Sequence, residues 1–151
     1  MMTNFKNKTA VLTGAGSGFG LECARIAAAR GMNVVMLDVQ QDALGSAAAE
    51  ISAITAKTGG SCKAYQVDVS KADAVKAIAD AVRSQYGAPH FVFNNAGVGA
   101  GGLIWENSLA DWKWVMDVNV MGVVHGVHFF TQMMLDAAKK DSAYQGHIVN
   151  T

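Results

Sequence analysis

Short apolar runs alternate with amphipathic segments along the whole chain, and this alternation constrains the fold more than any other feature. The apolar runs occupy residues 8–14, 33–39, 61–67, 90–95 and 147–151. Between them, apolar residues recur at helical spacing, as Leu44, Ala48 and Ile51 do. Strands that alternate with helices form crossovers between parallel strands, with helices on both faces of the sheet. The sequence therefore predicts an α/β fold, a doubly wound parallel sheet of the Rossmann type that ends at its fifth strand.

Composition indicates one globular domain whose charge is not suited to binding nucleic acid or an anionic membrane. The chain has 151 residues, 51% of them hydrophobic and 16% charged, which is typical of a single domain with its own core. Lys and Arg number 12, as do Asp and Glu, so the formal net charge is zero. This balance provides no basic surface for nucleic acid or for an anionic membrane. We expect residues 1–151 to be one domain, incomplete at its C-terminus.

The sequence also predicts a cytoplasmic protein without a membrane segment. The most apolar window, residues 115–135, is interrupted by polar side chains, so a buried helix explains it better than a membrane span: Asp117, Asn119, His125, His128 and Gln132. The first residues contain no apolar stretch of the kind found in signal peptides. Cys23 and Cys62 lack metal-binding or redox spacing, which favours two unpaired thiols in a reducing compartment.

A glycine-rich segment, TGAGSGFG at residues 13–20, joins the first predicted strand to the first predicted helix. Glycines at such a turn let the backbone approach a pyrophosphate, whose charge the free N–H groups of the helix stabilise. The segment matches neither GxGxxG nor the GxxxxGK pattern of phosphoryl-transfer loops, but it fits TGxxxGxG. The predicted cofactor-binding residues here are Gly14, Ser17, Gly18, Phe19 and Gly20. The alternative is a purely structural turn.

Asp38 ends the second predicted strand and is a candidate for recognising the cofactor ribose. A carboxylate at this place accepts hydrogen bonds from both hydroxyls of an adenosine ribose. It would also repel a 2′-phosphate by ~1 kcal/mol or more at close range. Neither Val39 nor Gln40 is basic, and Ser17 is neutral, so nothing local offsets that repulsion. We therefore expect NAD rather than NADP; the alternative is a solvated carboxylate at a strand end.

Taken together, four separated motifs resemble the short-chain dehydrogenase/reductase family across all 151 residues. They are TGAGSGFG, the Asp68-Val69 pair after the third strand, NNAG at residues 94–97, and VNVMG around Asn119. One such motif is weak evidence, whereas four in the family's order and spacing are strong evidence.

The resemblance implies a role for each matching residue. Asp68 would accept a hydrogen bond from the adenine amino group, with the Val69 backbone beside it. The backbone of Asn95, Ala96 and Gly97 would lie along a cofactor ribose. Asn119 corresponds to the family's catalytic asparagine, which kinks its helix so that a carbonyl holds a relay water. The alternative for the asparagines of NNAG is that they tie loops to the backbone without touching a ligand.

The family implies hydride transfer between NAD(P) and a small alcohol or carbonyl substrate. Its proton donor is a tyrosine followed four residues later by a lysine, with a serine that polarises the substrate oxygen. Tyr65, Tyr86 and Tyr144 are each followed at that spacing by a residue other than lysine. We therefore expect these 151 residues to be the cofactor-binding half of such an enzyme, inactive alone and holding Asn119 as its catalytic residue.

Other functional classes explain less of the sequence. The strongest alternative is a non-catalytic nucleotide-binding module that binds NAD or a full-length partner. A Rossmann-like methyltransferase would not need TGxxxGxG together with NNAG. His125 and His128 share a helical face, but no third ligand stands at a useful spacing, so no metal site is expected.

The last predicted helix suggests self-association. Residues 112–135 are apolar nearly all round, and Gly122 and Gly126 would let another backbone come close. The family packs this helix against a second subunit, which implies a homo-oligomer for the full-length form. The chain alone should associate or aggregate, and a clean monomer at micromolar concentration would contradict this.

Trp105, Trp112 and Trp114 are interpreted as core and loop packing, although Leu103 or Trp105 could line a substrate cleft.

Overall fold

The computed structural model describes residues 2–151 and contains five parallel strands with helices on both faces. The strands are β1 (Thr9–Thr13), β2 (Asn33–Asp38), β3 (Ser61–Gln66), β4 (Phe91–Asn94) and β5 (His147–Asn150). Their spatial order is β3-β2-β1-β4-β5, and every neighbouring pair is parallel. The predicted Rossmann-type, doubly wound sheet is confirmed.

The helices follow the predicted segments. They are α1 (Gly18–Ala29), α2 (Gln41–Thr58), α3 (Ala72–Tyr86), α4 (Leu109–Met116) and α5 (Gly122–Lys140). A five-residue π turn, Asp117–Met121, joins α4 to α5. The sequence pattern predicted that the last helix ends at about Leu135, whereas α5 continues to Lys140. The residues after Leu135 are more polar and continue the helix at the surface.

Of two capping boxes that the sequence suggests, one forms. Ser108 accepts a hydrogen bond from the Asp111 N–H, and the Asp111 carboxylate accepts from the Ser108 N–H, so α4 begins with a complete box. The similar sequence pattern at Ser70 to Asp73 forms no box. Helix α3 begins at Ala72 without a side-chain cap, and the Ser70 N–H donates instead to Asp68 Oδ1 at 2.9 Å.

The core has one cluster on each face of the sheet. Strand β1 is buried throughout, so its alternate side chains, Val11 and Leu12, enter opposite clusters. The Val11 side contains the apolar faces of α3 and α5, with Val82 and Phe130 nearly inaccessible. The Leu12 side contains α1 and α2 and is built from small residues around Ile51. These two clusters fix the positions of β1, β2 and β4, so the carboxyl ends of the three strands lie side by side.

Two glycines bring α5 close to the sheet edge. A Cβ on Gly126 would lie 2.0 Å from the Asn94 Oδ1 atom, and one on Gly122 would lie 2.7 Å from the Val69 Cγ2 atom. Neither position therefore tolerates a side chain without movement of its neighbours. The close approach expected of these glycines is made to β4 and Val69 of the same chain.

The opposite face of α4 and α5 is apolar and exposed. It carries large side chains that are 36–88% accessible: Leu109, Trp112, Met116, Val120, Val124 and Val127. The interpretation of the tryptophans as packing residues was wrong, since Trp105, Trp112 and Trp114 are 76%, 44% and 47% exposed. Helix α4 buries none of its residues, so its tryptophans have no core to enter.

Within residues 2–151, no helix combines the length and the apolar character that crossing a bilayer requires.

His90 is half-buried and accepts a backbone hydrogen bond through a ring nitrogen. The Thr9 N–H donates to His90 Nδ1 at 3.3 Å, which requires that nitrogen to be unprotonated, and the ring packs on Tyr144 with centroids 5.0 Å apart. Burial, with a smaller effect from the charge of Lys8, lowers the pKa of His90 below its ordinary value of 6.5. The folded state therefore favours neutral His90.

Because the folded-state pKa is depressed, we expect the free energy of unfolding to fall as the pH drops below 6.5, where the unfolded chain takes up the proton first. Urea unfolding at about pH 7.5 and about pH 5.5 measures this change. H90N, whose amide oxygen can accept the same bond without titrating, should show a smaller decrease. H128N, which alters an exposed histidine, should behave as wild type. Equal decreases in H90N and wild type would contradict the account.

Candidate functional site

A cleft of about 410 Å³ lies at the carboxyl ends of β1, β2 and β4. The chain adds β2 and β3 on one side of β1 and then β4 and β5 on the other, so the direction of the crossovers reverses beside β1. Open α/β sheets bind ligands at such a reversal point, outside the carboxyl ends of the strands. Most of the predicted cofactor-binding residues line it: Gly14, Ser17, Gly18, Phe19, Asp38, Asp68, Val69, Asn95, Ala96 and Gly97. Residues separated in sequence are thus brought to one site. Gly20 and Asn119 are not part of its wall.

The turn between β1 and α1 is possible only with glycine at several positions. Gly14 has φ +63° and Gly18 has φ +52°, a left-handed region that side chains disfavour. A Cβ on Gly20 would lie 2.1 Å from the Gly14 carbonyl oxygen. Gly20 therefore acts by letting α1 fold back on the turn, which places the helix N-terminus and its free N–H groups at the cleft.

Asp38 is held in place by backbone donors. Its Oδ2 accepts from the Gly16 N–H at 2.8 Å, and its Oδ1 accepts from the Gln40 N–H at 2.9 Å. A carboxylate oxygen has further acceptor capacity, so both oxygens can still take a bond from a ligand hydroxyl. No lysine or arginine lines this cleft within the described residues 2–151. The site thus presents a fixed negative charge beside Val39 and Gln40.

Thr13 ties β1 to the loop after β4. Its Oγ1 accepts from the Asn95 N–H and from the Ala96 N–H, both at 2.9 Å. The Asn95 side chain donates back to the Thr13 carbonyl at 3.1 Å. The Asn95 side-chain amide therefore bonds to backbone, as the alternative for the NNAG asparagines supposed. Asn95, Ala96 and Gly97 all line the cleft.

Asn94 and Asn150 join the carboxyl ends of β4 and β5. The Asn94 Nδ2 donates to Asn150 Oδ1 at 2.8 Å, and Asn94 is 2% exposed. Its Oδ1 has no hydrogen-bond partner among residues 2–151 and lies against the Gly126 backbone. Asn94 is not among the residues that line the cleft, and its side chain joins two strands.

Asn119 sits in the centre of the π turn and holds the loop that follows β4. Its Oδ1 accepts from the Val98 N–H at 2.8 Å, and its Nδ2 donates to the Val98 carbonyl at 2.9 Å. The side chain thus pairs with a backbone N–H and C=O as a neighbouring strand would. A π turn widens the helix and disturbs its regular hydrogen bonding, and such turns often occur at functional sites. The helix irregularity that the resemblance implied is present at Asn119.

Several wall residues did not emerge from the sequence. The backbone neighbours of the predicted residues line the cleft as well, and so do Trp114 and Val118, one helical turn apart. The sequence analysis interpreted Trp114 as a packing residue. Its spacing of four residues from Val118, which places both on one helical face, was the only signal that could have linked it to this wall. Thr13 was recognised as part of the motif, but not for its two backbone bonds.

Within residues 2–151, no three or more His, Cys, Asp or Glu side chains lie close enough together to share a metal ion. His125 and His128 are instead engaged separately. His125 Nδ1 is bonded to the Val69 carbonyl, and the His128 ring packs edge-on to Phe129 with centroids 4.8 Å apart. The two thiols, Cys23 and Cys62, are unpaired and half-buried, and burial raises the pKa of both.

The sequence is similar to curated oxidoreductases. A family model described as short chain dehydrogenase matches residues 8–151. "Probable oxidoreductase EphD" of Mycobacterium tuberculosis is 38% identical over 139 residues, which cover 92% of this chain and 22% of that protein. "Cyclohexanol dehydrogenase" of an Acinetobacter species is 35% identical over 152 aligned positions, 100% of this chain and 57% of that protein.

The fold is similar to solved structures of such enzymes. A short-chain dehydrogenase/reductase from Burkholderia phymatum in complex with NAD is 44% identical with a TM-score of 0.87, covering 99% of this chain and 50% of that one. A metagenomic short-chain oxidoreductase in complex with NADP is 30% identical with a TM-score of 0.85, covering 98% and 63%. The chain thus spans about half the length of most of these proteins. On the matched motifs, the family model and the shared fold, the chain belongs to the short-chain dehydrogenase/reductase family.

Proposed function

We propose that the cleft binds NAD and that these residues serve hydride transfer between NAD and a small alcohol or carbonyl compound. The observation that carries the proposal is the meeting of a helix N-terminus, the carboxylate of Asp38 and the carboxylate of Asp68 in one cleft at the crossover-reversal point. Each of the three groups is suited to a different part of a dinucleotide. None of these three groups alone would be specific for a dinucleotide.

The pyrophosphate would lie over the β1–α1 turn. The backbone from Gly14 to Phe19 can come close to it because glycines carry no Cβ there, and the N-terminus of α1 stabilises its charge. Phe19 is 83% exposed at the rim, where its ring would cover the bound phosphates.

The adenosine half would lie between Asp38 and the segment after β3. The two oxygens of Asp38 would accept from the ribose hydroxyls, and Asp68 would accept from the adenine amino group beside the Val69 backbone. The backbone of Asn95, Ala96 and Gly97 would follow the cofactor's second ribose. Some solved relatives contain NAD and others contain NADP or NADPH, so the preference for NAD rests on the charge of Asp38 in a wall without a basic side chain.

Bound NAD would supply the hydride acceptor, and the chain's own residues would orient it. Asn119 would contribute through its place in the π turn: its side chain fixes Val98 next to the cofactor wall, and the altered helix backbone leaves a carbonyl for a relay water. The family's serine and Tyr-x-x-x-Lys are not found in residues 1–151. We therefore propose that this segment provides cofactor binding and has no turnover by itself.

The natural polypeptide should be a homo-oligomer. The exposed apolar face of α4 and α5 is continuous over several turns, and such patches on soluble proteins usually mark an interface. Light scattering of the natural polypeptide tests this, and a monomer at micromolar concentration would contradict it.

The experiment that tests the proposed function uses the complete natural polypeptide that includes residues 1–151. We expect it to bind NADH and to reduce NAD with a secondary alcohol, cyclohexanol being the first to try because a relative is named for it. Absorbance of NADH at its near-ultraviolet band follows the reaction. NADH binding without turnover of any alcohol or ketone would favour the non-catalytic module, and no binding would contradict the proposal altogether.

Asp38→Asn tests the basis of cofactor choice. The amide oxygen can keep one backbone bond while the negative charge is removed, so the affinity for NADPH relative to NADH should rise by about fivefold or more, from a repulsion of ~1 kcal/mol. Calorimetric titration with both nucleotides measures the ratio. Asp42→Asn, which removes an exposed charge from the first turn of α2, should leave the ratio unchanged. Tighter NADPH than NADH binding by the wild type would overturn the role given to Asp38.

A further inference from the structure

His125 makes a side-chain contact that the proposed function does not use. It lies on α5, and its Nδ1 is 2.8 Å from the Val69 carbonyl oxygen. A carbonyl oxygen only accepts, so Nδ1 must carry the proton in this contact. The bond crosses from a helix on one face of the sheet to the loop after β3, which forms part of the cleft wall.

The Val69–Ser70 peptide group passes this contact on to Asp68. The carbonyl of Val69 and the N–H of Ser70 belong to one planar unit, so fixing one end fixes the other. His125 holds the carbonyl end, and the Ser70 N–H donates to Asp68 Oδ1 at 2.9 Å. The orientation of the Asp68 carboxylate therefore depends on where His125 holds the peptide plane.

The same loop is fixed at three further points. The Val67 N–H donates to the Asp38 carbonyl at 2.8 Å, which ties the start of the segment to β2. Gly122 of α5 lies directly against Val69, where a Cβ would approach the Val69 Cγ2 atom to 2.7 Å. The Lys71 N–H donates to the Asp68 carbonyl at 3.1 Å, which closes a turn around Val69 and Ser70. Such a turn bond forms with either orientation of the central peptide, as type I and type II turns show. Position is thus set by packing and by the two backbone bonds, and His125 holds the carbonyl of the central Val69–Ser70 peptide in one of these orientations.

We propose that His125 is a positioning residue for adenine recognition: through the Val69–Ser70 peptide it aims Asp68 so that Oδ2 is free to accept from the 6-amino group of the cofactor's adenine. The inference rests on the proposed NAD site and adds to it the residue that orients Asp68. It also assigns to His125 a role that differs from metal binding.

AMP and IMP distinguish this role from a general structural one, because they differ at position 6, where AMP has an amino donor and IMP a carbonyl acceptor. In the natural polypeptide, wild type should bind AMP more tightly than IMP. H125L, which removes the donor, should weaken AMP binding by about tenfold with little change for IMP. H125N is close to leucine in shape but keeps an N–H donor near the Nδ1 position, so it should retain most of the preference for AMP.

Calorimetric titrations of the two nucleotides give these ratios, and H128L serves as the matched control because His128 is exposed on the same helix. An AMP-to-IMP ratio that is unchanged in H125L, or that H125N loses as fully as H125L, would overturn the inference. So would a wild type that binds both nucleotides equally, although NAD binding could then still hold. A wild type that binds neither NAD nor AMP would instead overturn the proposed function.

A measurement on the wild type keeps the inference testable if H125L does not fold. Nitrogen-15 NMR at neutral pH should show His125 Nδ1 protonated and hydrogen-bonded. A neutral ring with its proton on Nε2 would remove the donor to Val69 and contradict the inference.

Discussion

The contact between Gly20 and the Gly14 carbonyl is the constraint on which the rest of the site depends. A Cβ at residue 20 would come within 2.1 Å of that oxygen, so only glycine lets α1 turn back immediately after β1. This turn directs the N-terminus of α1 towards the carboxyl edge of the sheet. The same edge receives Asp38 from β2 and the Thr13 hydroxyl, which in turn holds the Asn95–Ala96 backbone. The glycine that defines the cleft therefore does not line it.

The π turn and α5, which follow β4 and α4, fix two separate parts of the cleft wall. Asn119 pairs with both backbone groups of Val98, and His125, two turns further on, holds the Val69 carbonyl. Gly122 and Gly126 allow the approach that makes these bonds possible. The π turn at Asp117–Met121 changes the phase of the helix between α4 and α5, so residues on either side of it face different neighbours.

Local sequence patterns predict the fold, the glycine-rich turn and Asp38, whereas Asp68, Val69 and residues 95–97 were expected from the resemblance to the family. Apolar runs alternating with helical segments determine a parallel sheet, and parallel strands bring their carboxyl ends, with Gly14, Asp38 and Asp68, to one edge. What it missed depends on contacts between distant segments. The capping pattern at Ser70 failed because Asp68 takes the Ser70 N–H, and His125 had no local signal pointing to Val69. Trp114 was assigned to packing because apolar spacing does not show which helical face remains uncovered.

The most direct test of the account is a crystal structure of the natural polypeptide with NAD. The account predicts the adenosine ribose hydroxyls within hydrogen-bond distance of Asp38, the adenine amino group at Asp68 Oδ2, and the pyrophosphate over the N-terminus of α1. NAD bound elsewhere, or bound in this cleft with its adenine away from Asp68 and its ribose away from Asp38, would contradict it.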